Sequence, residues 1–165
     1  MFYSERMRQL IFVGFIGLFL ATGAVGQELP LVDREGLMEL TGRNSDTTYV
    51  VNFWATWCSP CVSEIGLFND LHRARQDKKL EVVLVSLDFP GQGQERVIGF
   101  LEERGIEARV VMMSDLDYNG WIDLVDPSWS GAIPATLIYR RNRRVFLEKE
   151  LSREELNNYV SQIMQ

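Results

Sequence analysis

Residues 48–61 read Thr-Tyr-Val-Val-Asn-Phe-Trp-Ala-Thr-Trp-Cys-Ser-Pro-Cys, a segment that ends in two cysteines three positions apart. Its first half is rich in β-branched and aromatic side chains, which predicts a buried β-strand. After the cysteines, apolar residues recur at three- and four-residue steps from Val62 to Leu71, which predicts an amphipathic helix. Cys58 and Cys61 therefore lie where a strand gives way to a helix.

A C-x-x-C pair at such a junction indicates redox chemistry. Cys58 falls at the helix N-terminus, where free backbone N–H groups and the helix dipole stabilise a thiolate, and Cys61 lies one turn inside. The chain has no other cysteine. A disulfide that closes so short a loop removes little entropy from the unfolded chain, so a purely structural role is disfavoured. We predict that Cys58 is the nucleophile and that Cys61 resolves the mixed disulfide.

Strands and helices alternate along the rest of the chain. Strands are predicted at residues 80–87, 108–113, 135–139 and 145–150, with a hairpin tip at residues 140–144. Helices are predicted at residues 33–41, from residue 91 to about 105, as a short helix at residues 121–125, and at residues 152–165. Ser152 and Glu155 form a capping box at the start of the last helix. This order predicts an α/β sandwich with a mixed central β-sheet flanked by helices.

The first 26 residues have the layout of a secretory signal peptide. Arg6 and Arg8 precede an uninterrupted apolar run at residues 10–20, and small residues follow up to Gly26. An uncleaved membrane anchor through residues 10–26 is the alternative, because the uncharged stretch is just long enough to span a bilayer. Residues 27–165 are therefore expected to form one domain in the periplasm or another extracytoplasmic compartment.

Composition and charge exclude some partners. The chain has 165 residues, of which 46% are hydrophobic, and this is enough to bury one sizeable core. The formal net charge is −6, and an acidic domain is poorly suited to phosphate backbones, so we expect no nucleic-acid partner. Four arginines near the hairpin tip are interpreted as a solvated turn: Arg140, Arg141, Arg143 and Arg144.

Residues 53–61, Phe-Trp-Ala-Thr-Trp-Cys-Ser-Pro-Cys, resemble the active-site segment of the thioredoxin superfamily, in particular its exported TlpA/ResA-like branch. Asn52, Glu64 and the run Gly-Ala-Ile-Pro-Ala-Thr at residues 131–136 also match. The resemblance covers nearly all of the chain after residue 26. It implies a thioredoxin-like sandwich with an inserted helix-strand segment before a cis-proline strand. It also implies a thiol:disulfide oxidoreductase that needs no cofactor.

The resemblance assigns roles to Pro134 and Glu64. Pro134 is expected to be cis and to present the Ile133 backbone to an extended substrate peptide, whereas the alternative is an ordinary trans proline. Glu64 lies about one turn beyond Cys61, so it is predicted to tune the thiols or relay a proton. The alternative for Glu64 is a solvated glutamate on the helix surface.

Two residues depart from the family pattern. Asn52 stands where many thioredoxins carry a buried aspartate, and it cannot act as the base for Cys61, which favours Glu64 in that role. Gly66 stands where the branch usually has a proline, so a helix bend is permitted but not imposed.

Substrate contacts are predicted around the cysteines and the proline loop. Trp57 adjoins the nucleophile and Trp129 precedes the loop, so both are expected to form an apolar substrate platform, whereas Trp54 is assigned to the core. The full set of predicted substrate contacts is Trp57, Ser59, Pro60, Ile133, Pro134 and Trp129.

The predicted activity is reduction of disulfides in exported proteins. Neither of the two residues between the cysteines, Ser59 and Pro60, is a histidine that could stabilise the thiolate. This favours a reductase over a disulfide donor. The resemblance implies a membrane thiol-transfer protein as electron donor, and apocytochromes c among the substrates. A disulfide-introducing oxidase and a redox-inert binding module with the same fold remain as alternatives.

Residues 115–126 also match the spacing of an EF-hand calcium loop, with Asp126 where glutamate usually closes it. A strand rather than a helix is predicted before this segment, and Asp117 or Asn119 as the N-cap of a short helix explains the same residues. We favour the capped helix and predict no metal site. The single histidine, His72, leaves too few ligands for a four-coordinate zinc site.

Overall fold

The computed structural model describes residues 28–74 and 79–165. The predicted signal peptide or anchor at residues 1–26 lies outside this part of the chain. Among the described residues, the helices are all too short or too polar to span a bilayer.

The described residues form six strands: β1 Leu31–Val32, β2 Thr48–Trp54, β3 Leu80–Ser86, β4 Arg109–Met113, β5 Ala135–Arg140 and β6 Arg143–Leu147. They make one mixed sheet in the order β1-β4-β3-β2-β5-β6. The first four strands in that order run parallel, while β5 is antiparallel to β2 and β6 is antiparallel to β5. β2 lies inside the sheet, and each of its residues is buried.

Helices cover both faces of the sheet. Alternate residues of β2 divide between two hydrophobic clusters, with Val50 and Trp54 in one and Val51 and Phe53 in the other. The helices of the described residues are α1 Arg34–Thr41, α2 Ser59–Ala74, α3 Gln92–Arg104, α4 Ile122–Val125 and α5 Arg153–Met164, with a 3-10 turn at Tyr118–Gly120. The first cluster includes residues of α2, α3 and α5, and the second includes residues of α1 and α4.

The predicted α/β sandwich with a mixed central sheet is confirmed. α3 and β4 lie between β3 and β5, where the sequence predicts the inserted helix-strand segment. Ser152 caps α5 through the expected capping box with Glu155. Gly105 ends α3 in the left-handed conformation, with φ of 60°, which glycine adopts without steric cost. α2 runs without a break through Gly66.

The hairpin differs from its prediction. Arg140 pairs with Arg143 in the β5–β6 ladder, so the tip is shorter than expected, and β6 ends at Leu147. Arg140 donates to the Asp46 carbonyl at 3.1 Å, and Arg141 forms an ion pair with the Asp46 carboxylate. The interpretation as a solvated turn is wrong for Arg140, which is half-buried and ties the hairpin to the loop before β2. The other three arginines are exposed, as expected.

Candidate active site

The two cysteines form a disulfide at the start of α2, with their Cα atoms 5.3 Å apart. The chain turns after β2 so that the Cys58 N–H donates to the Ala55 carbonyl at 3.1 Å. The Cys61 N–H donates to Cys58 Sγ at 3.3 Å, which is the contact that would stabilise a Cys58 thiolate in the reduced protein. Cys58 is 6% exposed and Cys61 is fully buried. Only Cys58 is open to a partner molecule.

The proline loop faces the disulfide. The Ile133–Pro134 peptide bond is cis, as the sequence predicts. β5 starts directly after Pro134, and Ala135 pairs with Phe53 near the end of β2. This register brings the Ile133 carbonyl oxygen to 3.6 Å from Cys58 Sγ. The proline loop and Cys58 are therefore placed by neighbouring strands of one sheet.

Glu64 lies inside the protein and not on the surface of α2. It is 1% exposed, which rules out the alternative of a solvated glutamate. Its Oε1 accepts a hydrogen bond from Asn52 Nδ2 at 3.0 Å, and its Oε2 accepts one from the Leu151 N–H at 2.7 Å. Burial raises the pKa of Glu64 to about 7, although both hydrogen bonds act to lower it. The carboxyl group can therefore gain or lose a proton near neutral pH.

Asn52 connects Glu64 to the strand that follows the proline loop. Its Nδ2 also donates to Thr136 Oγ1 at 3.1 Å, while its Oδ1 is buried without a hydrogen-bond partner in the described structure. Asn52 therefore ties Glu64 of α2 to Thr136 of β5 through one amide nitrogen.

Asp88 holds the turn before Cys58, a role that the sequence patterns did not predict. Asp88 is 2% exposed and follows β3. Its carboxylate accepts hydrogen bonds from the Thr56 N–H at 2.9 Å, from Thr56 Oγ1 at 2.5 Å and from Ser86 Oγ at 2.9 Å. The available signal was an aspartate just past a parallel strand, at the same sheet edge as the cysteines.

The predicted substrate contacts divide by exposure. Trp57 is 62% exposed, Ser59 and Pro60 are exposed, and Ile133 is half-buried. Pro134 is buried beside them.

Trp129 is 4% exposed, so its predicted place on an apolar substrate platform is wrong. It packs against Phe53 and Phe146. Its Nε1 donates to the Ala132 carbonyl at 2.9 Å, so the buried indole ring anchors the proline loop to the protein interior.

Two carboxylates of the segment with calcium-loop spacing are bound by an arginine of α1. Arg34 donates to Asp115 and to Asp117, each at 3.0 Å. The Asp117 side chain does not cap a helix, and Asn119 lies inside the 3-10 turn, so the N-cap prediction is wrong. A strand, β4, precedes the segment as predicted. Within residues 28–74 and 79–165, no group of three or more histidine, cysteine or acidic side chains is arranged to hold a metal ion.

The chain matches a known protein family. The model of the AhpC/TSA family matches residues 29–146, a span that includes both cysteines and the proline loop. The chain belongs to the AhpC/TSA family. Two relatives are thiol-disulfide oxidoreductases named ResA. That of Oceanobacillus iheyensis is 32% identical over 117 residues, which cover 69% of this chain and 56% of that protein. That of Bacillus cereus is 25% identical over 172 residues, which cover 93% and 91%.

A solved structure agrees with the fold. The thiol:disulfide interchange protein of the thioredoxin family from Chlorobium tepidum matches with a TM-score of 0.62 and 21% identity. The match covers 86% of this chain and all of that chain. Together with the family match, this establishes the thioredoxin-like sandwich, in which Cys58 and Cys61 form a C-x-x-C redox centre.

Proposed function

We propose that this protein is an exported thiol:disulfide oxidoreductase that reduces disulfides of extracytoplasmic proteins. The observation that carries the proposal is that the two cysteines of the disulfide at the start of α2 differ in exposure. Cys58 is partly open and faces the Ile133 carbonyl, whereas Cys61 is closed off. The names of the ResA relatives support the same chemistry.

The reaction begins with the reduced protein. The Cys58 thiolate attacks one sulfur of a substrate disulfide, a bond forms between Cys58 and that sulfur, and the substrate S–S bond breaks. The departing substrate thiolate takes up a proton from solvent. Trp57, Ser59 and Pro60 line the exposed side of the nucleophile, and the Ile133 backbone offers hydrogen bonds to an extended peptide.

The second step, in which Cys61 resolves the mixed disulfide, takes place on the buried side of the site. The Cys61 thiol loses its proton to Glu64 or to water, and the thiolate attacks Cys58 Sγ. The Cys58–Cys61 disulfide forms, and the second substrate sulfur leaves as a thiolate. Two electrons pass from the protein to the substrate. Glu64 is suited to accept the proton, because its raised pKa of about 7 is much closer to that of a thiol than an ordinary carboxyl pKa is.

Repeated turnover requires a source of electrons. A membrane thiol-transfer protein would reduce Cys58–Cys61 by the same exchange in reverse. Apocytochromes c are the proposed clients among exported thiol proteins. The leader-like residues 1–26 support export, with either cleavage or anchoring at residues 10–26.

Trapping tests the proposal. A Cys61→Ala variant should accumulate mixed disulfides through Cys58, visible on non-reducing gels and identifiable by mass spectrometry. A Cys58→Ala variant is the matched control and should trap nothing. If Cys58→Ala retains the biological activity, the protein is a redox-inert binding module.

The direction of electron flow is tested by equilibration with glutathione buffers. A reductase should have a reduction potential near that of thioredoxin, about −270 mV, and a disulfide donor one nearer about −120 mV. A value near the second figure would refute the reductase proposal.

A further inference from the structure

Glu148 is joined to the proline loop by a set of hydrogen bonds. It is the first residue after β6. Its carboxylate accepts hydrogen bonds from the Ala132 N–H at 2.9 Å and from the Ser130 N–H at 3.2 Å. The Ser130 hydroxyl donates to the same carboxylate. One side chain therefore holds two backbone N–H groups of a loop that lies 16 to 18 residues earlier in the chain.

The same loop is held from its other side. Trp129 Nε1 donates to the Ala132 carbonyl at 2.9 Å, so both polar groups of the Ala132 backbone are bound. Gly131 lies between the two anchored residues with φ of 94°, a conformation that other residues rarely adopt. A Cβ at Gly131 would also lie 3.2 Å from Ile122 Cδ1. Residues 130–132 are thus confined to one conformation.

Ile133 lies between this anchored loop and the sheet. On its other side, Ala135 is paired with Phe53 of β2. The Ile133 carbonyl oxygen is 3.6 Å from Cys58 Sγ. An extended peptide that pairs with the Ile133 backbone while its sulfur meets Cys58 needs both partners in register to well under 1 Å. A flexible loop would therefore bind the peptide more weakly and align its disulfide less well with Cys58.

We propose that Glu148 is a positioning residue for polypeptide substrates, acting through residues 130–132 to hold the Ile133 backbone beside Cys58. This inference rests on the proposed oxidoreductase function and deepens it, since it assigns to Glu148, outside the cysteine pair, the alignment of polypeptide substrates. Small disulfides, which do not pair with the backbone, do not depend on Glu148. Burial acts to raise the pKa of Glu148, but the bonds from Ser130 and Ala132 outweigh it and leave the pKa below its usual value, so the carboxylate is charged at neutral pH.

Two probes with the same chromophore test this role. One is 5,5′-dithiobis(2-nitrobenzoate), and the other is an extended peptide whose single cysteine is in mixed disulfide with thionitrobenzoate. The reduced protein is oxidised to Cys58–Cys61 by either probe, and each releases thionitrobenzoate. In Glu148→Ala, KM for the peptide probe should rise about tenfold, while the rate with the small probe changes less than twofold. Glu148→Gln keeps one acceptor oxygen and should show a smaller rise.

Glu103→Gln is the matched control, because Glu103 is exposed on α3, and it should leave both rates unchanged. Equal slowing with both probes in Glu148→Ala, or no slowing with either, would overturn the positioning role. Thermal melting and the reduction potential of each variant, both expected near the wild-type values, separate positioning from a general loss of structure. If Cys58→Ala releases as much thionitrobenzoate as the wild type, the proposed function itself fails, and the role of Glu148 fails with it.

Discussion

Replacing Glu64 by glutamine tests whether the fold raises the pKa of this buried carboxyl group. The folded protein raises the pKa of Glu64 from its ordinary 4.5 to about 7, chiefly through burial. The folded state therefore binds this proton more tightly than the unfolded chain does. The stability contributed by the protonated group is complete below about pH 4.5 and is lost as the pH rises through about 7.

The size of the effect follows from the shift. A pKa raised from 4.5 to about 7 corresponds to about 3 kcal/mol, most of which appears between pH 5 and pH 8. Glutamine does not titrate, so Glu64→Gln should be free of this loss. Its hydrogen bonds to Asn52 and Leu151 change as well, at a cost of about 1 kcal/mol that does not vary with pH. The unfolding free energy of the variant should therefore rise, relative to that of the wild type, by about 2 kcal/mol or more from pH 5 to pH 8.

Urea unfolding of the oxidised protein at pH 5, 6, 7 and 8 measures this difference, since disulfide-bonded cysteines do not titrate. Glu103→Gln removes an exposed carboxyl group and should give a difference that is small and nearly flat with pH. A Glu64→Gln difference that is equally flat would refute the assignment of a raised pKa to Glu64. In the same variant, resolution of a mixed disulfide by Cys61 should slow about tenfold or more at pH 7, because the proposed proton acceptor is lost.

Three further substitutions probe the supports of the site. Asp88→Asn weakens the hydrogen bonds to Thr56 and should lower the free energy of unfolding, measured in urea, by about 1 to 2 kcal/mol. The pH profile of Cys58 alkylation should also change. An unchanged profile would argue against a role of Asp88 in shaping the turn before Cys58. Trp129→Phe keeps the ring packing but removes the indole N–H, so KM for the peptide probe should rise about threefold while that for the small probe stays constant. Ser152→Ala removes the capping box of α5 and should cost about 1 kcal/mol of stability without altering either rate.

Much of the fold could be predicted from local patterns. The apolar run of β2 and the three- and four-residue spacing of α2 place Cys58 and Cys61 at a strand-to-helix junction, as observed. β1 was missed, because a two-residue edge strand is too short to carry a pattern. The short hairpin tip was misjudged because the cross-strand pairing of Arg140 with Arg143 depends on register, which composition does not reveal.

The site was predicted less completely. The cis bond at Pro134 followed from a resemblance and is present. Trp129 was assigned to the substrate platform because it precedes the proline loop in sequence, yet the ring packs against Phe53 of β2 and Phe146 of β6. Asp88 and Glu148 were not singled out, since each is an ordinary acidic residue until the fold brings it to a loop elsewhere in the chain.

The redox pair and its place at the start of a helix can be predicted from local patterns, because three-residue spacing and apolar periodicity are local properties of the chain. The difference between the two cysteines, and the groups that surround them, depend on the tertiary structure. Burial of Glu64, and the carboxylates that hold the turn before Cys58 and the proline loop, depend on contacts between residues that are 12 to 87 positions apart. Desolvation and hydrogen bonding across such separations arise only when the sheet and its helices come together.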